Sequence, residues 1–339
     1  MAQRIIITLF SLILLLFIWP VNEGFTGNII VDASQNMGNF PDVMRPGMMG
    51  LWSQNFTPLK TEIDNLNSKP FWRLTFGFGT DVPGGNSSVK PLNFEADFKS
   101  WLKKSFDPHI RLYQDAGYKV IISLTQVPKW LSNHPSDELL PYADGAWFTK
   151  WAYSPPSDYN QWQNLISLFV QTLKEDGVKA DFIVGDEPDW MFYGTEEQYL
   201  EMYAYTVEAI KEVDQANAVG ALGVSSWSKT KFINCPADVT GLDDGSCPLM
   251  DHSMIAGLIN YVATHQVPLD FIDWHFPDPT LVSYNVIATR QWLQNSGLPE
   301  SMPLTIGEWL LSGSGEYEST EMASAYSIFM LKSLMDAGI

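Results

Sequence analysis

Cysteine is nearly missing from this chain: 339 residues contain 2, Cys235 and Cys247. Two cannot build a disulfide framework. They lie in the polar stretch INCPADVTGLDDGSCPL with no His or further Cys at ligand spacing, so they do not read as a zinc site. In an exported chain they read as one local disulfide closing a loop, worth roughly 3 kcal/mol in the loop-entropy account; two unlinked thiols are the alternative. Positive charge is also scarce. Lys and Arg total 20 against 39 Asp and Glu, a formal charge of −19, with the acidic residues spread along the chain. A field of that sign repels phosphate backbones and anionic membranes, which argues against nucleic acid as a partner.

Several motifs are lacking. No H-E-x-x-H, no Walker loop and no G-x-S-x-G occurs, and GFGTDVPGG has Val82 where a dinucleotide fingerprint needs its third glycine. No metal and no organic cofactor is therefore expected. Linkers and low-complexity segments are missing, and one long hydrophobic run occurs at the start, from Ile5 to Trp19 behind Arg4. Residues 1–24 thus read as a secretory signal peptide and the protein as secreted. No small-x-small cleavage site stands out between Pro20 and Gly24, which leaves an uncleaved membrane anchor as the other reading, although the run is short for a span.

Apolar side chains are plentiful. They make up 45% of the chain, and the 13 Trp exceed what a core needs, so disorder is excluded. Strand-length apolar runs alternate with longer amphipathic stretches, which indicates repeated βα units and a parallel sheet. The predicted strands are 48–52, 71–78, 119–124, 182–185, 219–224, 271–275 and 304–308. Helices are predicted over 160–175 and 196–213, the second opening on a Thr195/Gln198 capping box. The fold class is α/β, a (β/α)₈ barrel over 25–339 whose eighth strand is not found, since the helix predicted over 319–337 is followed by two residues. Residues 132–158, after the third strand, are predicted to be a long irregular loop on the rim where barrel enzymes place their chemistry.

Two segments carry that chemistry, IVGDEPDW with Glu187 and TIGEWLL with Glu308. Each is an apolar run ending in a carboxylate, and strands four and seven face one another across a barrel. Two such carboxyl groups suit glycosidic bond cleavage, one protonating the leaving oxygen and one attacking the anomeric carbon. Arg73 in WRLTFGFG is expected to hold Glu308 ionised, and the neighbours Asp186 and Asp189 to favour a protonated Glu187. His275 in FIDWHFPD is expected to bond a sugar hydroxyl or the nucleophile. Trp130, Trp190, Trp274 and Trp309, all near strand ends, are candidate sugar-stacking platforms, with core packing as the alternative for each.

On these motifs the chain resembles the clan A glycoside hydrolases, most closely family 39, which includes β-xylosidases and α-L-iduronidases. The similarity is most continuous from about Phe182 to Gly338, through GDEPDW, PLDFIDWHFPD and PLTIGEW. It implies a (β/α)₈ barrel and a retaining mechanism, with Glu187 as acid/base, Glu308 as nucleophile, and Arg73 and His275 at further active-site positions. It also implies a carbohydrate substrate and continuation into an eighth strand. Two departures stand out: Asp186 occupies a position where the family usually has Asn, and Pro277 one where it often has an aromatic. They motivate a rival reading, a sugar-binding barrel that has lost turnover. A transglycosylase using the same residues is the third.

Overall fold

The apolar runs form parallel strands and the amphipathic stretches form helices between them. The computed structural model describes residues 48–49, 71–139, 149–225, 253–275, 282–308, 329, 330, 332–334 and 336, all within one unit, Pro41–Ile339. The strands are β1 (Met48–Met49), β2 (Phe71–Gly77), β3 (Lys119–Thr125), β4 (Asp181–Val184), β5 (Val219–Val224), β6 (Phe271–His275) and β7 (Leu304–Glu308). They pair in sequence order, β1 to β7, and every pairing is parallel. That is the strand order of a (β/α)₈ barrel, with seven strands among the described residues.

Helices fill the crossovers: α1 (Phe94–Trp101), α2 (Asp107–Asp115), α3 (Lys150–Tyr153), α4 (Tyr159–Glu175), α5 (Pro188–Met191), α6 (Glu196–Val213), α7 (Met254–His265) and α8 (Val282–Asn295). The capping box of α6 is formed. Thr195 Oγ1 accepts from the Gln198 N–H at 3.2 Å, and Gln198 Oε1 accepts from the Thr195 N–H at 3.0 Å. Of the loop predicted over 132–158, residues 132–139 and 149–158 are described, and they hold α3 and the antiparallel bridges Ser132–Pro156 and Leu139–Thr149. Of the predicted closing helix, residues 329, 330, 332–334 and 336 are described, and they are helical.

Strand parity separates two interiors. In β2, Trp72, Leu74 and Phe76 face the helices, and Arg73 between them faces the other way. On the inner face Ile121, Ile183 and Phe271 pack with Phe71 into a small apolar plug, drawn from β2, β3, β4 and β6. Strands distant in order can share one cluster only if the sheet curls. The larger core lies between sheet and helices and is built on rings. Phe169 of α4 is fully buried and stacks on Phe76 at 4.6 Å between centroids, with Phe78, Phe98 and Phe106 also around it. Trp162 Nε1 donates to Thr206 Oγ1 at 2.8 Å, which joins α4 to α6. Phe169→Ala is expected to cost about 3–5 kcal/mol, seen as a lower urea midpoint with the slope unchanged. A loss below about 1 kcal/mol would mean that the rings close over the gap.

Candidate active site

Below the C-terminal ends of β2, β4, β6 and β7 the inner face turns from apolar to charged. The end of β4 is fixed by Tyr199, whose buried hydroxyl donates to the Val184 carbonyl at 2.5 Å. Gly185 follows at φ +93, and a Cβ there would sit 3.1 Å from the Tyr199 ring, so both conformation and space ask for glycine. Glu187 itself adopts the left-handed region, φ 47 and ψ 52, which non-glycine residues seldom occupy. Its N–H donates to the Gly223 carbonyl at 3.0 Å and its C=O accepts from the Met191 N–H at 2.9 Å. Strain held in this way is common where a side chain must be aimed.

Arg73 gathers the site. Its Nη1 donates to Glu308 Oε1 at 2.8 Å, its Nη2 donates to Asp186 Oδ1, and its Nε donates to Ser123 Oγ at 2.8 Å. One guanidinium thus bridges β3, the turn after β4, and the last residue of β7. The negative charges of Asp186, Asp273 and Glu308 outweigh the effect of burial and hold Arg73 above its ordinary value.

His275, the last residue of β6, lies between the two glutamates and is 1% exposed. Its Nδ1 is 2.9 Å from Glu187 Oε1 and 4.0 Å from Glu308 Oε1. Those two carboxylate oxygens are therefore no further apart than the sum of the two distances, about 7 Å. Retaining glycosidases hold their carboxyl groups about 5–5.5 Å apart and inverting ones about 6.5–9.5 Å. An upper bound of about 7 Å on one oxygen pair is compatible with either range.

Burial pushes His275 down, but its bonds to Asp273 and Glu187 and the charge of Asp273 win, and carry it up to about 10. Glu308 is raised, chiefly by burial, with His275 and Arg73 opposing and Asp186 and Glu187 adding to the rise. Arg73 does pair with the proposed nucleophile, as expected, yet its charge does not overcome desolvation. The neighbours of Glu187 have partners of their own. Asp186 is bound by Arg73, and Asp189 accepts from the Ser225 N–H and Oγ at 2.9 and 2.7 Å. Both are engaged elsewhere, because the left-handed turn at Glu187 sends successive side chains in different directions. His275 likewise contacts Glu187 more closely than Glu308.

The histidine's charge has a consequence for stability. Its folded value lies above the ordinary 6.5, so its contribution is complete below about pH 6.5 and is lost as pH rises through about 10. The stability lead of the unaltered protein over His275→Gln should therefore shrink across that window, by on the order of a few kcal/mol. Urea titrations at several pH values measure it, and a pH-independent lead would mean a neutral imidazole.

The tryptophans fare differently from the charged residues. Trp274 is fully buried in the layer between sheet and helices, because it alternates with inward-facing Asp273 and His275; it is a core residue and offers no face to a sugar. Trp130 meets the Phe94 ring edge-on at 5.1 Å and lies under Lys90 Nζ at 5.3 Å, against the helical layer. The backbone of Trp190 lies in α5. Trp309, Cys235 and Cys247, along with Pro277 and residues 1–24, lie outside the described residues. No described helix is long and apolar enough to cross a membrane.

Ligand atoms of Asp186, His275 and Glu308 lie within 4.8 Å of one another, a spacing that a cation could use. The cation present between both carboxylates is the Arg73 guanidinium. Sequence reasoning missed Asp273, Ser123 and Thr305. Two-residue alternation in FIDWH could have found the first, since it puts Asp273 on the same face as His275.

The profile of glycosyl hydrolases family 39 matches residues 95–296, more than half of the chain. The chain belongs to glycosyl hydrolases family 39. Among curated relatives it is similar to a beta-xylosidase of Caldicellulosiruptor saccharolyticus, 27% identical over 175 residues, covering 49% of this chain and 31% of that protein. It is also similar to a beta-xylosidase of Geobacillus stearothermophilus, 27% identical over 130 residues, covering 36% of this chain and 21% of the relative. The chain spans about a third or less of the length of these two curated relatives. Among solved structures, a glucosidase from Croceicoccus marinus aligns with a TM-score of 0.57 at 17% identity, covering 84% of this chain and 56% of that one. A bacterial orthologue of human α-L-iduronidase aligns at 0.50 and 11%, covering 87% and 46%. At such identities these two bear on the fold alone, an α/β barrel.

Proposed function

We propose that this family 39 chain carries a retaining glycoside hydrolase activity on poly- or oligosaccharides, with β-xylosides the first class to try. The observation that carries the reading is the approach of Glu187 and Glu308, from the ends of β4 and β7, to one His275 nitrogen at 2.9 and 4.0 Å. In the first step Glu308 attacks the anomeric carbon as the bond to the leaving oxygen breaks, and Glu187 gives that oxygen its proton. In the second step Glu187 takes a proton from water, the water oxygen attacks the same carbon, and the bond to Glu308 breaks. Arg73 orients Glu308, and Asp186 borders the same space. Two inversions retain configuration.

The choice of β-xylosides rests on the two beta-xylosidases to which the chain is similar. Export rests on the apolar run from Ile5 to Trp19 behind Arg4. Proton NMR of the first sugar released from an aryl β-xyloside tests the mechanism. The β-anomer should appear first and mutarotate later; an α-anomer as first product would replace the double displacement with a single one. No sugar released from any member of a glycoside panel would end the hydrolase reading.

A further inference from the structure

Asp273 is a full carboxylate at 1% exposure, and no step described so far uses it. Its Oδ2 is 3.4 Å from His275 Nε2, and its Oδ1 accepts from Thr305 Oγ1 at 2.6 Å. The other nitrogen of that ring meets Glu187 at 2.9 Å. A line of groups thus runs from β7 to the turn after β4: Thr305, Asp273, His275, Glu187.

The strands on either side are shaped around this pair. A Cβ at Gly307 would lie 2.4 Å from Asp273 Oδ2 and 2.9 Å from His275 Nε2. A Cβ at Gly223 would lie 2.8 Å from His275 Nε2 and 3.2 Å from Asp273 Oδ2. Gly223 has φ +55 and follows Leu222 at φ 91, in the place where the β5–β6 register shifts. Strands β5 and β7 both give up a side chain, and β5 its regular backbone, where they pass Asp273 and His275. Burying a carboxylate is costly unless it is paired, so a space built to hold one points to a use for its charge.

We propose that Asp273 is a positioning residue that sets the protonation of His275 and, together with that ring, the charge that the two glutamates face. The kinetic part of this proposal rests on the retaining-hydrolase reading. Among the described residues, the charged groups facing the ring are Arg73 from β2, Asp186 and Glu187 from the turn after β4, Asp273 beside it on β6, and Glu308 from β7. Arg73 disfavours a charged imidazole and the carboxylates favour it. In the charged ring Nδ1–H donates to Glu187 Oε1 at 2.9 Å, and Nε2–H lies 3.4 Å from Asp273 Oδ2, within reach of its charge. An imidazolium in that place draws Glu308 toward its ionised form. Neutralising Asp273 removes one negative charge, and the imidazolium beside it then gives up its proton at a lower pH. Below that pH the imidazolium remains while a negative charge is gone, so both glutamates should then release their protons at lower pH.

The experiment uses the full-length protein with Asp273→Asn and Thr305→Val. The imidazole signals of His275, assigned by their loss in His275→Gln, are followed by nitrogen–proton NMR against pH, and kcat/KM is measured over the same range. In the unaltered protein His275 should stay protonated past pH 9, in keeping with a value of about 10. In Asp273→Asn it should titrate about two units lower, still above the range of the two carboxyl groups, and both limbs of the pH–rate profile should move down by up to about one unit. Thr305→Val removes one hydrogen bond and should give a smaller shift of the same sign. A merely structural role would lower kcat/KM at all pH values and move neither limb. An unchanged His275 titration in Asp273→Asn, or in Thr305→Val should the first variant fail to fold, overturns the proposal. Absence of hydrolysis by the unaltered protein would overturn the retaining reading alone, while the imidazole titration still decides the role of Asp273.

Discussion

Replacing Glu308 with alanine should lower kcat on an aryl β-xyloside at least about 10⁴-fold, or about 5.5 kcal/mol at 1.36 kcal/mol per decade. Added azide should restore part of the rate. With the carboxylate gone, a small anion can reach the anomeric carbon from the vacated side, and a single displacement then gives a glycosyl azide of inverted configuration. Glu187→Ala should behave differently. Its loss matters most for leaving groups that need a proton, about 10²–10⁴-fold, and least for activated aryl groups, for which the second step becomes limiting. Azide attacking the covalent intermediate in that variant should give the retained product. Opposite stereochemistry from two alanine variants at residues 121 positions apart in sequence would assign both roles at once. The same configuration from both would show that one assignment is mistaken.

Much of this arrangement was legible in the sequence, and the part that was not has a physical explanation. Strands β5, β6 and β7 follow the predicted bounds because parallel strands buried on both faces read as continuous apolar runs flanked by polar turns. The capping box at Thr195 and Gln198 was equally plain, since it depends on neighbours three residues apart. Glu187, Glu308, Arg73 and His275 converge because strand ends in a parallel barrel share one rim. What the sequence could not specify was which neighbour each charge would meet. Asp186 and Asp189 flank Glu187 in the chain, yet a left-handed residue between them sends one to Arg73 and the other to Ser225. Trp274 looked like a platform by its position, and strand parity turned it into the core. Asp273 was passed over because an acidic residue in a strand reads as solvated until two glycines from adjacent strands are found making room for it.

A large loss of stability should come from replacing Arg73. The residue is 4% exposed and holds Asp186, Glu308 and Ser123 directly, with Asp273 also within its field. Arg73→Met keeps much of the volume and removes the charge, leaving two partly buried carboxylates without their cation. Breaking a buried ion pair from one side costs about 3–5 kcal/mol, more than the packing change alone would give. The sign of the pH dependence separates the two causes. Glu308 is already raised by burial, and Arg73 is one of the two charges that oppose the rise. Without it, Glu308 in the folded variant should hold its proton to still higher pH than in the unfolded chain. The folded variant then binds more protons than the unfolded one, so its stability falls as pH rises. The gap to the unaltered protein should be wide at pH 7.5 and should narrow by pH 4.5, read from urea midpoints. Arg73→Lys should recover part of the stability but little activity, because one ammonium cannot bridge Glu308, Asp186 and Ser123 as a planar guanidinium does. A gap of equal size at both pH values would reduce Arg73 to a packing residue, and the geometry holding Glu308 would need another source.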